Sequence, residues 1–184
     1  MMRRNDGFTL TGLIISVLLI SILSAISIPL MSGPLRRQRL NNLVIELSGW
    51  LEEVSVRAEF AGAPCTVTIT TGTLTPGATL AQVTPAACAI QNPFVVPSFL
   101  GGAAQNYAVA ITDSASDDEG VDNSWSFTPR GSITDPANIE IRVNLNGRVP
   151  VRCIQLSSDF GYVRLGSNNA AANAATPCDD YTAI

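Results

Sequence analysis

The sequence predicts an α+β fold, with one long N-terminal helix followed by an antiparallel β-sheet domain. Three observations carry this. Residues 8–35 hold no charged side chain and are apolar almost throughout. From Leu40 onward the apolar positions are Leu40, Leu43, Val44, Leu47, Leu51, Val54 and Ala58, the i, i+3, i+4 recurrence of one buried helix face. After Ala63 the pattern alternates, beginning with Cys65-Thr66-Val67-Thr68-Ile69-Thr70, the period of a half-buried strand. At 184 residues the chain suffices for one domain with a modest core.

The apolar run is longer than the roughly 20 residues needed to cross a bilayer. Arg3 and Arg4 precede it and Arg36, Arg37 and Arg39 follow it, so flanking charge does not orient it cleanly. Hydropathy alone leaves three readings. One is a transmembrane anchor. Another is a secretory signal peptide with a small-residue cut near Leu23-Ser24-Ala25 or Ala25-Ile26-Ser27. The third is a buried helix of a soluble fold, against which length and uniform apolarity argue.

The helix is expected to run from about Thr9 to Ala61, loosened near Pro29 and Gly33-Pro34, and to measure about 75 Å. Arg39, Asn42, Glu46, Glu52, Glu53 and Arg57 fall mostly on its polar faces. Gly62 and Pro64 supply a stop. A domain of this size has no need of so long a core helix, so the first half is expected to project and the second half to pack on a sheet. Trp50 is expected to serve packing. Arg36, Arg37 and Arg39 suit anionic lipid head groups or a neighbouring subunit.

Further strands are expected at 107–112, 125–127, 139–145, 151–157 and 161–165. Asn146-Gly147 is a hairpin turn signal and Ser158-Asp159-Phe160-Gly161 a second turn, so the last three strands form an antiparallel meander. Residues 72–100, rich in Pro, Gly and Ala, are expected to be a long connection pinned by Cys88. Residues 113–122 form an acidic loop, and 168–176 a low-complexity tail held only if Cys178 is bonded.

Four cysteines are present, Cys65, Cys88, Cys153 and Cys178, with no C-x-x-C pair and no histidine to complete a zinc site. An even count in an exported chain favours two disulfides. Of the three pairings, proximity in sequence favours Cys65–Cys88 and Cys153–Cys178, each stabilising by roughly 3 kcal/mol in the chain-entropy model.

All 11 basic residues are arginine, against 15 acids. This acidic balance argues against a general nucleic-acid surface. Without histidine no Ser-His or Cys-His nucleophile can form, and no phosphate-cradling glycine loop is present, so no catalysis and no cofactor are expected. Asp113, Asp117, Asp118, Glu119 and Asp122 lack the spacing of a calcium loop, so no metal site is expected.

The junction Gly7-Phe8-Thr9-Leu10, set between a short basic leader and the apolar run, resembles the class III signal of type IV prepilins, and Pro29 stands where that family commonly has a helix-bending proline. The resemblance implies a pilin-like fold and a cut between Gly7 and Phe8 by a prepilin peptidase, followed by N-methylation of Phe8. The cut would precede the apolar segment, so the mature chain keeps it as a membrane anchor and then as a filament-core helix. Assembly would draw on other pilin subunits, an inner-membrane platform and its ATPase. The precursor would be a single-pass inner-membrane protein and the product a periplasmic or extracellular filament.

The family usually has glutamate at the position of Gly12, where it is thought to pair with a neighbour's N-terminal amine. A buried carboxylate needs such a partner. Its absence here points to a minor, tip-located component. Phe127-Thr128-Pro129-Arg130-Gly131 resembles the Phe-x-Pro-x-Gly segment of GspH/FimT-type pseudopilins and minor pilins, and Gly161-Tyr162-Val163-Arg164 is similar to their terminal Gly-x-Val-Arg run. Some FimT-like members bind DNA through a Gly-Arg-x-Arg motif. Here Tyr162 replaces one arginine, leaving Arg148, Arg152 and Arg164 as candidate phosphate contacts gathered on one edge of the meander. The expected division is a leader at 1–7, a transmembrane or filament-core helix at 8–35, an amphipathic helix at 36–63 and a β domain at 64–184.

Overall fold

The computed structural model describes residues 9–98, 105–113, 123–135 and 137–181, with the side chains of residues 23–32 outside the description. Gly7, Phe8 and the acidic residues at 117–122 lie outside the described residues. Two units are distinguished, residues 1–37 and residues 38–184, and each is taken by itself.

Helix α1 spans Leu10–Ala61 without interruption. The loosening expected near Pro29 and Gly33-Pro34 does not break it. Thr9 caps its start: the Gly12 amide donates to Thr9 Oγ1 at 3.3 Å, and the Leu13 amide to the Thr9 carbonyl at 3.2 Å. A Thr cap satisfies amides that have no partner in the first turn. The helix ends where Gly62 adopts φ +61°, the left-handed C′ conformation in which a glycine carries no Cβ penalty.

In the second unit, Leu40, Leu43, Val44, Leu47, Leu51, Val54 and Ala58 are fully buried. They form one face of α1 and join the main core with both sheets. The helical spacing of the sequence is therefore the spacing of the buried contacts.

The strands are β1 (Cys65–Ile69), β2 (Gly72–Leu74), β3 (Thr79–Thr84), β4 (Phe94–Val95), β5 (Tyr107–Asp113), β6 (Ser124–Phe127), β7 (Ile139–Leu145), β8 (Arg148–Leu156) and β9 (Val163–Asn168). They form two sheets rather than one, with orders β4-β3-β1-β6 and β2-β5-β7-β8-β9. Every pairing is antiparallel. The expected meander is β7-β8-β9. Asn146 and Gly147, at φ 55° and 60°, make the tight turn between β7 and β8.

The connection expected at 72–100 is a correction. It contains β2, β3, a 3-10 turn at Ala86–Cys88, and β4. β3 reads Thr-Leu-Ala-Gln-Val-Thr without a clean apolar–polar alternation, and its partner β1 lies beyond β2 in sequence. Thr66 pairs with Thr84 and Ile69 with Ala81. Local propensity undervalues a strand whose stability comes from its cross-strand neighbours.

Disulfides join Cys65 to Cys88 and Cys153 to Cys178. The first ties the loop around Cys88 to β1. That loop is also held against α1. Trp50 Nε1 donates to the Gln91 carbonyl at 2.7 Å, the Ile90 amide to Glu53 Oε1 at 2.7 Å, and Arg57 to the Ala87 carbonyl at 3.1 Å. Trp50 is 5% exposed and its ring lies 6.0 Å from that of Phe94; it serves packing, as expected.

Candidate functional site

In the first unit, Leu13, Ile14, Ile15, Val17, Leu18, Leu19, Ile20 and Ile22 are each 50–63% exposed. Successive helix positions turn by 100°, so these side chains point in all directions. A helix apolar all round needs lipid or other helices as surroundings. The hydroxyls of Ser16 and Ser21 donate to the carbonyls of Leu13 and Val17, both at 2.8 Å. Bonded back to their own helix, they lower the cost of an apolar environment. Among the described residues, no helix is long and apolar enough to cross a membrane; the expected span at 8–35 includes Phe8 and the side chains of 23–32, including Pro29, which lie outside the description.

At Gly12 an added Cβ would stand 3.3 Å from Thr9 Oγ1. The position is occupied by the capping contact and offers no carboxylate.

The second region of interest is the part of the β2-β5-β7-β8-β9 sheet that carries the candidate arginines. Arg152 pairs with Val143 and Ser167, whereas Arg164 pairs with Gln155. Positions 152 and 155 are three apart on β8, so Arg152 and Arg164 stand on opposite faces. Arg152 is 6% exposed and donates to Asn41 Oδ1 of α1 at 2.8 Å and to Asn169 Oδ1 at 3.2 Å. Arg148 begins β8 opposite Leu145. The three arginines are not gathered on one edge.

Arg164 shares the outer face with Glu140 and Arg142, and the chain's last turn crosses this face. Arg142 is ion-paired to Glu140 at 3.0 Å and donates to the Ala175 carbonyl at 2.7 Å. Glu140 Oε1 also accepts from the Cys178 amide at 3.1 Å. Asn168 Nδ2 donates to the Pro177 carbonyl at 2.9 Å, while Asn168 Oδ1 accepts from the amides of Ala170 and Ala171. Ser167 and Asp180 form a β-bridge. Gly166 leaves room for the Tyr181 ring, which a Cβ there would meet at 2.6 Å, and the Arg164 guanidinium lies over that ring, 5.8 Å from its centre. The tail expected to depend on Cys178 alone is thus a strap with several fastenings. Glu140, Cys153 and Cys178 are close enough together to hold an ion, but the two sulfurs are bonded to each other and offer no thiolate.

The Tyr181 phenol is pushed up to about 12, by burial first and then by the charge of Glu140 and the hydrogen bond to it. An unfolded tyrosine titrates near pH ~10. The folded value is the higher one, so the anchor is fully present below pH ~10 and is lost as the pH rises toward ~12. Tyrosinate absorbance and amide exchange of the strap are expected to change together in that window. Glu140→Gln removes the carboxylate charge, one of the three causes that raise the value, and should move the transition down; an unmoved transition would refute the assignment.

The Phe127-Thr128-Pro129-Arg130-Gly131 segment forms a tight loop beside β6. The Thr128 amide donates to the Ser132 carbonyl at 2.8 Å and the Gly131 amide to the Thr128 carbonyl at 3.1 Å. A Cβ at Gly131 would meet Glu59 Oε1 of α1 at 2.6 Å, and one at Gly161 would collide with the Gly131 carbonyl. The two glycine motifs are therefore one contact: Gly161 of the β8–β9 turn rests on the Gly131 carbonyl with no room for a side chain, and the flexible end of Glu59 from α1 lies beside Gly131.

Comparison with known proteins bears on the first region. Residues 2–28 match the prokaryotic N-terminal methylation motif. No curated protein and no solved structure gives a significant match. The match takes in the expected cut between Gly7 and Phe8. Together with an N-terminal helix leading into an antiparallel sheet domain, it supports a type IV pilin-like protein.

Proposed function

We propose that the chain is a structural minor pilin or pseudopilin of a type IV pilus or type II secretion system. Residues 1–7 are removed by a prepilin peptidase, Phe8 is methylated, and the subunit is held in the membrane and then built into a filament through its N-terminal helix. The observation that carries this is the methylation motif at 2–28, set directly on a helix whose apolar side chains point outward in every direction. Gly12 favours a minor or tip position, because a subunit without that carboxylate cannot offer the registering contact to a neighbour. The alternative of a DNA-uptake pilin gains nothing from Arg152, which is spent on Asn41 and Asn169. The GspH/FimT subtype rests on the two glycine motifs, whose present role is packing.

The test is the N terminus of the protein recovered from membranes. Mass spectrometry is expected to find N-methylated Phe8. An N terminus at Met1, or near Ile26 or Ile28, refutes the reading, and Gly7→Val is expected to leave the chain uncut.

A further inference from the structure

β9 ends its sheet, with β8 as neighbour on one side. In an antiparallel strand, backbone groups point alternately to the two sides. The Ser157 amide donates to the Tyr162 carbonyl at 3.1 Å, so position 162 is turned toward β8, and positions 164, 166 and 168 with it. Ser167 is turned the other way. Its amide donates to the Asp180 carbonyl at 2.7 Å, and its carbonyl accepts from the Asp180 amide at 3.2 Å. Val163 and Leu165 share the parity of Ser167. Their amides and carbonyls point out of the sheet edge, and no described residue bonds them there.

An open row of backbone groups is a template for a further strand. The strap shows that this edge takes one, since Asp180 bridges antiparallel to Ser167 at its far end. At its near end Phe160 and Tyr162 are 74% and 50% exposed, with near-parallel rings 6.4 Å apart. Val163 and Leu165 pack against the main core. Arg164, between them, is exposed on the outer face and has no ion-pair partner among the described residues.

The charge selects the occupant. A second β9, pairing antiparallel through both open residues of each copy, would set Val163 against Leu165 and Arg164 against Arg164. Like charges directly opposite are destabilising. A foreign segment with a carboxylate across from Arg164, and an apolar residue on each side of it, suits both faces of the edge. We propose that the Val163–Leu165 edge receives such a segment from a different subunit, added as an antiparallel strand in the same sense as the strap. The proposal rests on the filament-subunit reading and names the kind of neighbour, an unlike subunit, that a minor component meets.

The test uses the full-length chain in cells that assemble the filament. Proline at 163 removes an outward amide and no bond to β8, whereas Val163→Ala trims the side chain and keeps the amide. Val163→Pro is expected to lower recovery of the chain in the filament fraction about ten-fold, and Val163→Ala by less than about two-fold. Arg164→Glu is expected to lower it about five-fold. In the unaltered chain, the Leu165 amide should exchange about ten-fold more slowly in filaments than in detergent. A photo-crosslinking residue in place of Tyr162 should join the chain to one apolar–acidic–apolar segment of another subunit, and Val163→Pro should abolish that adduct. Equal recovery of Val163→Pro and Val163→Ala overturns the proposal, as does unchanged exchange at Leu165. So does an adduct to a second copy, an adduct to residues 182–184 of the same chain, or no adduct. N-terminal analysis of the same cells separates the two ideas. Chains cut before Phe8 that enter filaments regardless of Val163→Pro refute only the edge contact, while uncut chains refute the filament reading.

Discussion

Gly161→Ala is expected to destabilise the second unit by about 2–5 kcal/mol. Two effects add. Gly161 has φ +61°, which costs an L side chain about 1–2 kcal/mol. The new methyl must also displace the Gly131 carbonyl, and such overpacking costs about 1–3 kcal/mol. Gly147→Ala isolates the first effect, because Gly147 has φ +60° and, beyond its chain neighbours, nothing within 4 Å of its would-be Cβ. It should cost only about 1–2 kcal/mol. Urea unfolding of the detergent-solubilised chain compares the two. Equal losses would mean that the loop of Gly131 and the turn of Gly161 do not meet.

The second large effect is expected from removing the strap's disulfide. The Cys153–Cys178 bond spans a separation of 25 residues, for which chain entropy gives about 3.5 kcal/mol. Cys153→Ser with Cys178→Ser should cost on that order and free residues 169–181 first. Their amides should lose exchange protection before those of β7 and β8, which are held by sheet bonds on both sides. Cys65→Ser with Cys88→Ser opens a loop of similar separation, 23 residues. Its loop keeps the bonds from Trp50, Glu53 and Arg57, so there the loss is expected to appear in global unfolding. Strap amides exchanging at an unchanged rate in the first variant would show that Arg142, Glu140 and Asn168 suffice without the bond.

These two experiments probe features with different visibility in the sequence. The glycines of both motifs were legible as family-like text, but not their mutual contact. Phe127-Thr128-Pro129-Arg130-Gly131 and Gly161-Tyr162-Val163-Arg164 are short, and nothing in either says that one backbone rests on the other. The strap was legible only through Cys178. Glu140 and Arg142 do share a strand face by their spacing of two, a signal that marks a pair but not the segment lying over it. Thr9 as a helix cap had a readable signal, a threonine directly before the apolar run.

Sequence by itself determined the order of the chain: a motif for N-terminal processing, a helix from about Thr9 to Ala61, and strands from Cys65 onward with a hairpin at Asn146-Gly147. Each follows from local causes, which are hydrophobic period, capping and the conformational freedom of glycine, and local causes are written in neighbouring residues. Tertiary structure alone decided that the strands divide into two sheets, that β3 exists beside β1, and that Arg152 turns in to Asn41 while Arg164 turns out to Tyr181. Those outcomes depend on which distant segments share a core. A strand's two faces look alike in sequence when both are covered, one by a helix and the other by a strap.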